Sequence, residues 1–165
     1  MILPIAKLPA KILRTPVSDI EFPLKKSVRR LIDDMISTVK KAEGIGLAAP
    51  QVSKNLNLAI IYLDEAGIPA FPLFNPKIVK HSKEVVSMEE GCLSMPGVFG
   101  IVSRPKQITL EARNAEGKKI ALTDDGLLAR VIQHEVDHLN NILIIDKLEK
   151  VTHGQELLGK YRGKD

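Results

Sequence analysis

The sequence has one cysteine, no tryptophan and only two tyrosines in 165 residues. A single thiol, Cys92, cannot close a disulfide within the chain, which excludes a small scaffold stapled by bridges. No stretch approaches the ~18 consecutive apolar residues of a membrane-spanning helix, and the most apolar segment, 58–63, has the length of a buried strand. The opening MILPIAKLPAKILR lacks the apolar core and small-residue site of a secretory signal, so the cytoplasm is the expected compartment and no membrane contact is expected. Neither sign of charge dominates: 24 Lys plus Arg against 20 Asp plus Glu leave +4, which reads as ordinary solubility charge. A Gly-rich phosphate loop followed by Lys-Ser/Thr is missing, as is a basic patch interleaved with aromatics. Direct sequence-specific nucleic-acid binding is therefore not expected.

What is present, 44% hydrophobic and 27% charged residues, fits a single soluble domain over 1–165, with 148–165 a short basic tail read as a solvated, briefly helical end. From Val28 the apolar residues Leu31, Ile32, Met35, Ile36 and Val39 recur at helical spacing, with Lys40 and Lys41 at the negative end and Gly44 as the exit. β-rich runs follow at 58–63, 77–80, 84–88, 107–113 and 118–122. Ile108, Leu110 and Ala112 alternate as on a strand with one buried face, and 114–117 reads as a hairpin turn. These strands precede a second helix rather than alternating with helices, so the expected class is α+β.

The second helix carries the chemistry. Thr123, Asp124 and Asp125 offer cap oxygens before a run of Leu127, Leu128, Val131, Ile132, Val136 and Leu139. With Leu127 at zero and about 100° per residue, His134 and His138 fall at about 340° and 20°, side by side, while Glu135 falls at about 80°, within the apolar stripe. Arg130, Gln133 and Asp137, at about 240° to 300°, are expected on the wet side. A buried carboxylate needs a cation, a proton or a hydrogen-bond donor, and two imidazoles four residues apart hold one ion. Read blandly, the histidines are surface residues and Glu135 reaches solvent. Cys92, alone, reads as inert packing; beside HExxH it becomes a third donor that leaves one position open.

At this point the sequence resembles the peptide deformylase family. Three motifs carry the resemblance, in order: Gly44-Ile45-Gly46-Leu47-Ala48-Ala49-Pro50-Gln51, Glu90-Gly91-Cys92-Leu93-Ser94, and Gln133-His134-Glu135-Val136-Asp137-His138-Leu139. The resemblance implies antiparallel sheets packed around a central HExxH-bearing helix. It implies one divalent ion on Cys92, His134 and His138: Fe(II) in the cell, with Zn(II), Ni(II) or Co(II) held by the same donors in purified protein. The implied reaction removes the N-formyl group from the formyl-methionine end of nascent peptides, with transient ribosome association. Glu135 would move the proton, while the Gln51 amide and the Leu93 backbone N–H would steady the oxyanion. Ile45, Gly46 and Gly91 would contact the substrate backbone, and Val131 and Ile132 would line a methionine pocket. Without the motif, Gln51 reads as a surface-loop residue and Val131 and Ile132 read equally as core.

The sequence departs from the family pattern in three places. The segment Leu8-Pro9-Ala10-Lys11-Ile12-Leu13-Arg14 lacks the Asp-Pro pair usual before the corresponding Leu-Arg, Asn141 stands where relatives have a glycine after the metal helix, and Phe99 where some have arginine. Two other readings are an HExxH metallopeptidase and a catalytically silent ribosome-associated metal-binding module.

Overall fold

The computed structural model describes residues 1–163. Its helices are α1 (Lys26–Lys41), α2 (Leu127–Leu139) and α3 (Leu158–Arg162). Its strands are β1 (Gly46–Ala48), β2 (Leu58–Leu63), β3 (Ile68–His81), β4 (Val85–Gly91), β5 (Phe99–Pro105), β6 (Ile108–Arg113), β7 (Lys119–Asp124) and β8 (Lys150–His153). They form a five-stranded sheet ordered β1-β2-β3-β6-β7 and a three-stranded sheet ordered β4-β5-β8. Every strand ladder is antiparallel, so the fold is α+β. Among the described residues no helix is long and apolar enough to cross a membrane.

The period of β2 explains the layering. Leu58 and Ile60 pack with Leu31, Met35 and Val39 of α1, whereas Ile61 and Leu63 pack with Val131, Ile132 and Val136 of α2. Successive side chains of a strand point to opposite faces, so an unbroken apolar run is what a strand covered on both sides requires. β6 obeys the one-face alternation, with Ile108, Leu110 and Ala112 buried against the α2 cluster. The hairpin at 114–117 closes through Gly117 N–H to the Asn114 carbonyl at 3.0 Å.

Several local expectations change. The left-handed residue at the exit of α1 is Glu43 (φ 54), not Gly44. Gly44 follows it and donates to the Val39 carbonyl at 3.0 Å, and a side chain there would press on Leu93. Of the three cap candidates for α2, Asp124 does the capping, accepting from Gly126 and Ala129 N–H at 2.9 and 2.8 Å. Thr123 instead pairs with Thr109 across β6 and β7. After α2, Asn141 takes the left-handed conformation (φ 62), the role a glycine would fill.

The expected solvated tail is a correction. Residues 150–153 form β8, which pairs with β5, and Leu158 and Tyr161 are buried with Leu8, Leu13, Met95 and Val98. The Tyr161 hydroxyl donates to the Pro96 carbonyl at 2.6 Å. The segment's charges drew the solvated reading, but its apolar residues form a patch that covers the N-terminal arm. Lys164 and Asp165, also assigned to the tail, lie outside the described residues.

The supposed wet side of α2 is the second correction. Arg130 and Gln133 are buried, and Asp137 is half-buried. The small sheet covers this face and supplies partners for each polar group: Glu90, Val86 and Val102 for Arg130, Pro105 for Gln133 and Arg104 for Asp137. A helix face buried against polar partners mimics a solvent face in sequence, because both are charged.

Candidate active site

Cys92 follows the last residue of β4, on a turn closed by Met95 N–H to the Cys92 carbonyl at 2.9 Å. His134 and His138 stand one turn apart on α2 with ring centroids 5.1 Å apart. The three donor atoms of Cys92, His134 and His138 lie within 4.8 Å of one another, and Cys92 Sγ is 3.3 Å from His138 Nε2. One thiolate and two imidazoles suit a divalent transition metal, and three protein ligands leave a position for substrate or water.

The electrostatics favour that use. Burial pushes the Cys92 thiol up, but His138 and His134 outweigh it and hold the group well below the usual thiol range. His134 presents Nδ1 to Glu90 Oε2 at 3.0 Å, which leaves Nε2 for the donor cluster. Glu90 in turn is held by Arg104 and Arg130. Burial alone would raise the Glu90 carboxyl; hydrogen bonds from Arg104 and His134 overcome it and keep the group ionised.

Glu135, 3% exposed, has one carboxylate oxygen with no hydrogen-bond partner. Burial raises its pKa above the ordinary carboxylate range, outweighing the nearby His134 and His138. An orphaned buried oxygen beside a thiolate–imidazole cluster is a further mark of a site built for an ion and its water. Gly46 of β1 passes so close that a β-carbon would overlap the Glu135 carboxylate.

Gln51 is buried, not on a surface loop. Its Oε1 accepts from Ala48 N–H at 2.8 Å, which turns Nε2 toward Ser94 Oγ at 3.1 Å and Cys92 Sγ at 3.7 Å. A cleft of about 540 Å³ opens over these groups. Ile45, Gly46, Gln51, Gly91, Cys92, Leu93, Val131, His134 and Glu135 all border it. His138 lies behind, buried. Ile132 is not at the cleft: it packs in the core against the large sheet, because on the helix it faces about 100° away from Val131. Phe99 also borders the cleft, lying against Gly91 and edge-on to His153 at 6.0 Å between centroids.

The sequence reading gave no role to Glu90, Arg104 or Arg130. Glu90 could have been found, because a metal-binding histidine usually gives its second nitrogen to a carboxylate or carbonyl and Glu90 stands two residues before the thiol. The two arginines carry no such local signal.

The polypeptide deformylase family model matches residues 2–153. A peptide deformylase of Rhizobium meliloti (strain 1021) is 43% identical over 155 residues, covering 91% of this chain and 87% of its own length. The crystal structure of a peptide deformylase from Synechococcus elongatus in complex with actinonin superposes with TM-score 0.84 at 38% identity, over 96% of this chain and 83% of that one. That of Thermotoga maritima peptide deformylase gives TM-score 0.85 at 32% identity, over 90% of this chain and 99% of that one. The chain therefore belongs to the polypeptide deformylase family and is a hydrolase that removes the N-formyl group from the methionine end of newly synthesised polypeptides.

Proposed function

We propose that one domain over residues 1–165, built around the HExxH helix, performs this deformylation in the cytoplasm with one divalent ion on Cys92, His134 and His138. The observation that carries the reading is the convergence of those three donors beside a buried, unpartnered Glu135 carboxylate oxygen. Fe(II) is the working ion in the cell; Zn(II), Ni(II) or Co(II) occupy the same donors in purified protein. When bound, the ion polarises the formyl group and acidifies a water. Transient contact with the ribosome brings the enzyme to its substrate.

The chain's own residues do the rest. Glu135 takes a proton from the attacking water and returns one to the departing methionine nitrogen, a double duty suited to a carboxyl raised by burial. Gln51 Nε2, oriented by Ala48, and the Leu93 backbone N–H donate to the oxygen as it gains charge. Ile45, Gly46 and Gly91 align the peptide backbone along the cleft, and Val131 lines the methionine pocket. Ile132 supports Val131 from the core side.

The test follows formate released from formyl-Met-Ala-Ser by metal-loaded enzyme beside cleavage of the unformylated peptide. Formate without peptide fragments is expected. Fragments would instead indicate a peptidase, and silence a binding module.

A further inference from the structure

Ser94 has no part in the deformylase reading above, yet its buried hydroxyl lies 3.1 Å from the Gln51 amide nitrogen. We propose that Ser94 is a positioning residue for the reaction: it holds one N–H of the Gln51 amide so that the other is aimed at the oxygen that gains charge. The inference rests on the role given to Gln51 in that reading and identifies what aims it.

The identity of each amide atom follows from its partner. A backbone N–H can only donate, so the Gln51 atom 2.8 Å from Ala48 N is the oxygen, and the other end is the NH2 group with two hydrogens in the amide plane. Oε1 bonded to Ala48 still leaves the amide free to swing about that contact, because the last torsion of a glutamine is broad. A second contact at the nitrogen end stops the swing. Ser94 Oγ supplies it, and the remaining hydrogen is left for the donor cluster, whose Cys92 Sγ stands 3.7 Å away. Gln51 and Ser94 are 2% and 1% exposed, so bulk water does not take the hydroxyl's place. Ser94 does not border the cleft, and it therefore reaches the peptide only through Gln51.

The backbone keeps the pair in register. Gln51 sits on the turn Ala49–Val52 that follows β1 of the large sheet, and Ser94 on the turn that follows β4 of the small one. The N-terminal arm touches both: Ala6 N–H donates to the Gln51 carbonyl at 2.7 Å and Leu8 N–H to the Ser94 carbonyl at 2.9 Å. Three consecutive residues thus strap together two turns from different sheets. With both carbonyls pinned, the hydroxyl on one turn is a fixed stop for the amide on the other.

The experiment measures kcat, KM and metal content for formate release from formyl-Met-Ala-Ser by the metal-loaded full chain, unaltered and as Ser94→Ala, Gln51→Ala and the double variant. Ser94→Ala keeps the backbone, Leu93 N–H included, and loses only the stop. It is expected to lower kcat about 10- to 100-fold, the scale of a misaimed group, with KM within about twofold and metal content unchanged. In the Gln51→Ala background the same substitution is expected to change kcat by less than about twofold, because no amide is left to aim. An effect that multiplies in the double variant, or an unchanged kcat in the single one, overturns the positioning role while leaving Gln51 as a donor. Full kcat in Gln51→Ala overturns the donor role on which the inference rests, and no formate from the unaltered enzyme overturns the deformylase reading itself. Should Ser94→Ala fail to fold, nitrogen-15 NMR of the unaltered Zn(II)-loaded chain replaces it. Two distinct, exchange-protected hydrogens on Gln51 Nε2 are expected there, and a rapidly exchanging, averaged pair overturns the proposal.

Discussion

Arg104 reaches Glu90 with two hydrogen bonds, 2.6 and 2.9 Å long, in a pocket where the arginine is 1% exposed. The same guanidinium donates to Asp137 at 2.6 Å, and Glu90 holds His134. A cation in the small sheet thus fixes the aim of an imidazole on α2. Removing it takes the buried cation from between Glu90, which keeps Arg130, and half-buried Asp137, which keeps Lys147, a loss that costs at most about 3–5 kcal/mol. Arg104→Met is expected to lower unfolding free energy by up to that amount in urea titration and to weaken metal affinity about 10- to 100-fold. Stability and metal affinity both unchanged would remove the arginine from this role.

The roles proposed for Glu135 and Cys92 predict that catalysis and ligation can be separated. Glu135→Ala is expected to keep a full complement of metal and lose about 10²–10⁴ in kcat, the usual worth of a positioned proton carrier. Cys92→Ala is expected to lose both the ion and turnover. Metal analysis beside formate kinetics distinguishes the two, and normal turnover in either variant contradicts the assignment.

Gln51 is held by Ala48 so that its amide N–H points toward Cys92 and Ser94. Gln51→Ala should raise the barrier by about 2.7–4 kcal/mol, read as a fall of about 10²–10³ in kcat with little change in metal content. A fall confined to KM would mark it as a substrate-binding residue only.

Arg14 and Asp146 tie the N-terminal arm to the segment after α2 with bonds of 2.5 and 2.8 Å. The hydrogen bond from Arg14 holds the Asp146 carboxyl below its ordinary range. The unfolded chain therefore binds a proton more readily than the folded one, and the pair's contribution is present above the ordinary carboxylate pKa and lost as pH falls through the folded value. Both side chains are more than a third exposed, so the contribution is at most about 1 kcal/mol. Asp146→Asn should be less stable than the unaltered chain near neutrality, with the gap closing below about pH 4. A gap constant into acid would show that the charge contributes nothing.

What could be read from the sequence follows a physical division. α2 and its donors were legible because helical spacing fixes His134, Glu135 and His138 relative to one another without any partner. The run 58–63 was legible because burial on both faces needs unbroken apolar residues. Arg130 and Gln133 were misread because their partners lie 40 and 28 positions away, and a charge neutralised at long range looks in sequence like a charge in water. β5 escaped notice for the same reason, its buried Arg104 resembling a surface residue. β1 was missed because it is three small or apolar residues long. Gln51 needed its motif, since nothing in an Ala-Pro-Gln step by itself says that the amide turns inward.

The meeting of Gly46 with Glu135 sets a rule for protein engineering around this cleft. Every other amino acid at position 46 brings at least one carbon into the volume that the carboxylate fills, so a mutational library should show that codon as frozen. Its neighbour Ile45, 49% exposed, should tolerate variety in folding, with any loss confined to substrate binding. Two adjacent positions on one rim would then differ sharply in tolerance, with hydrogen at the first being as necessary as any reactive atom.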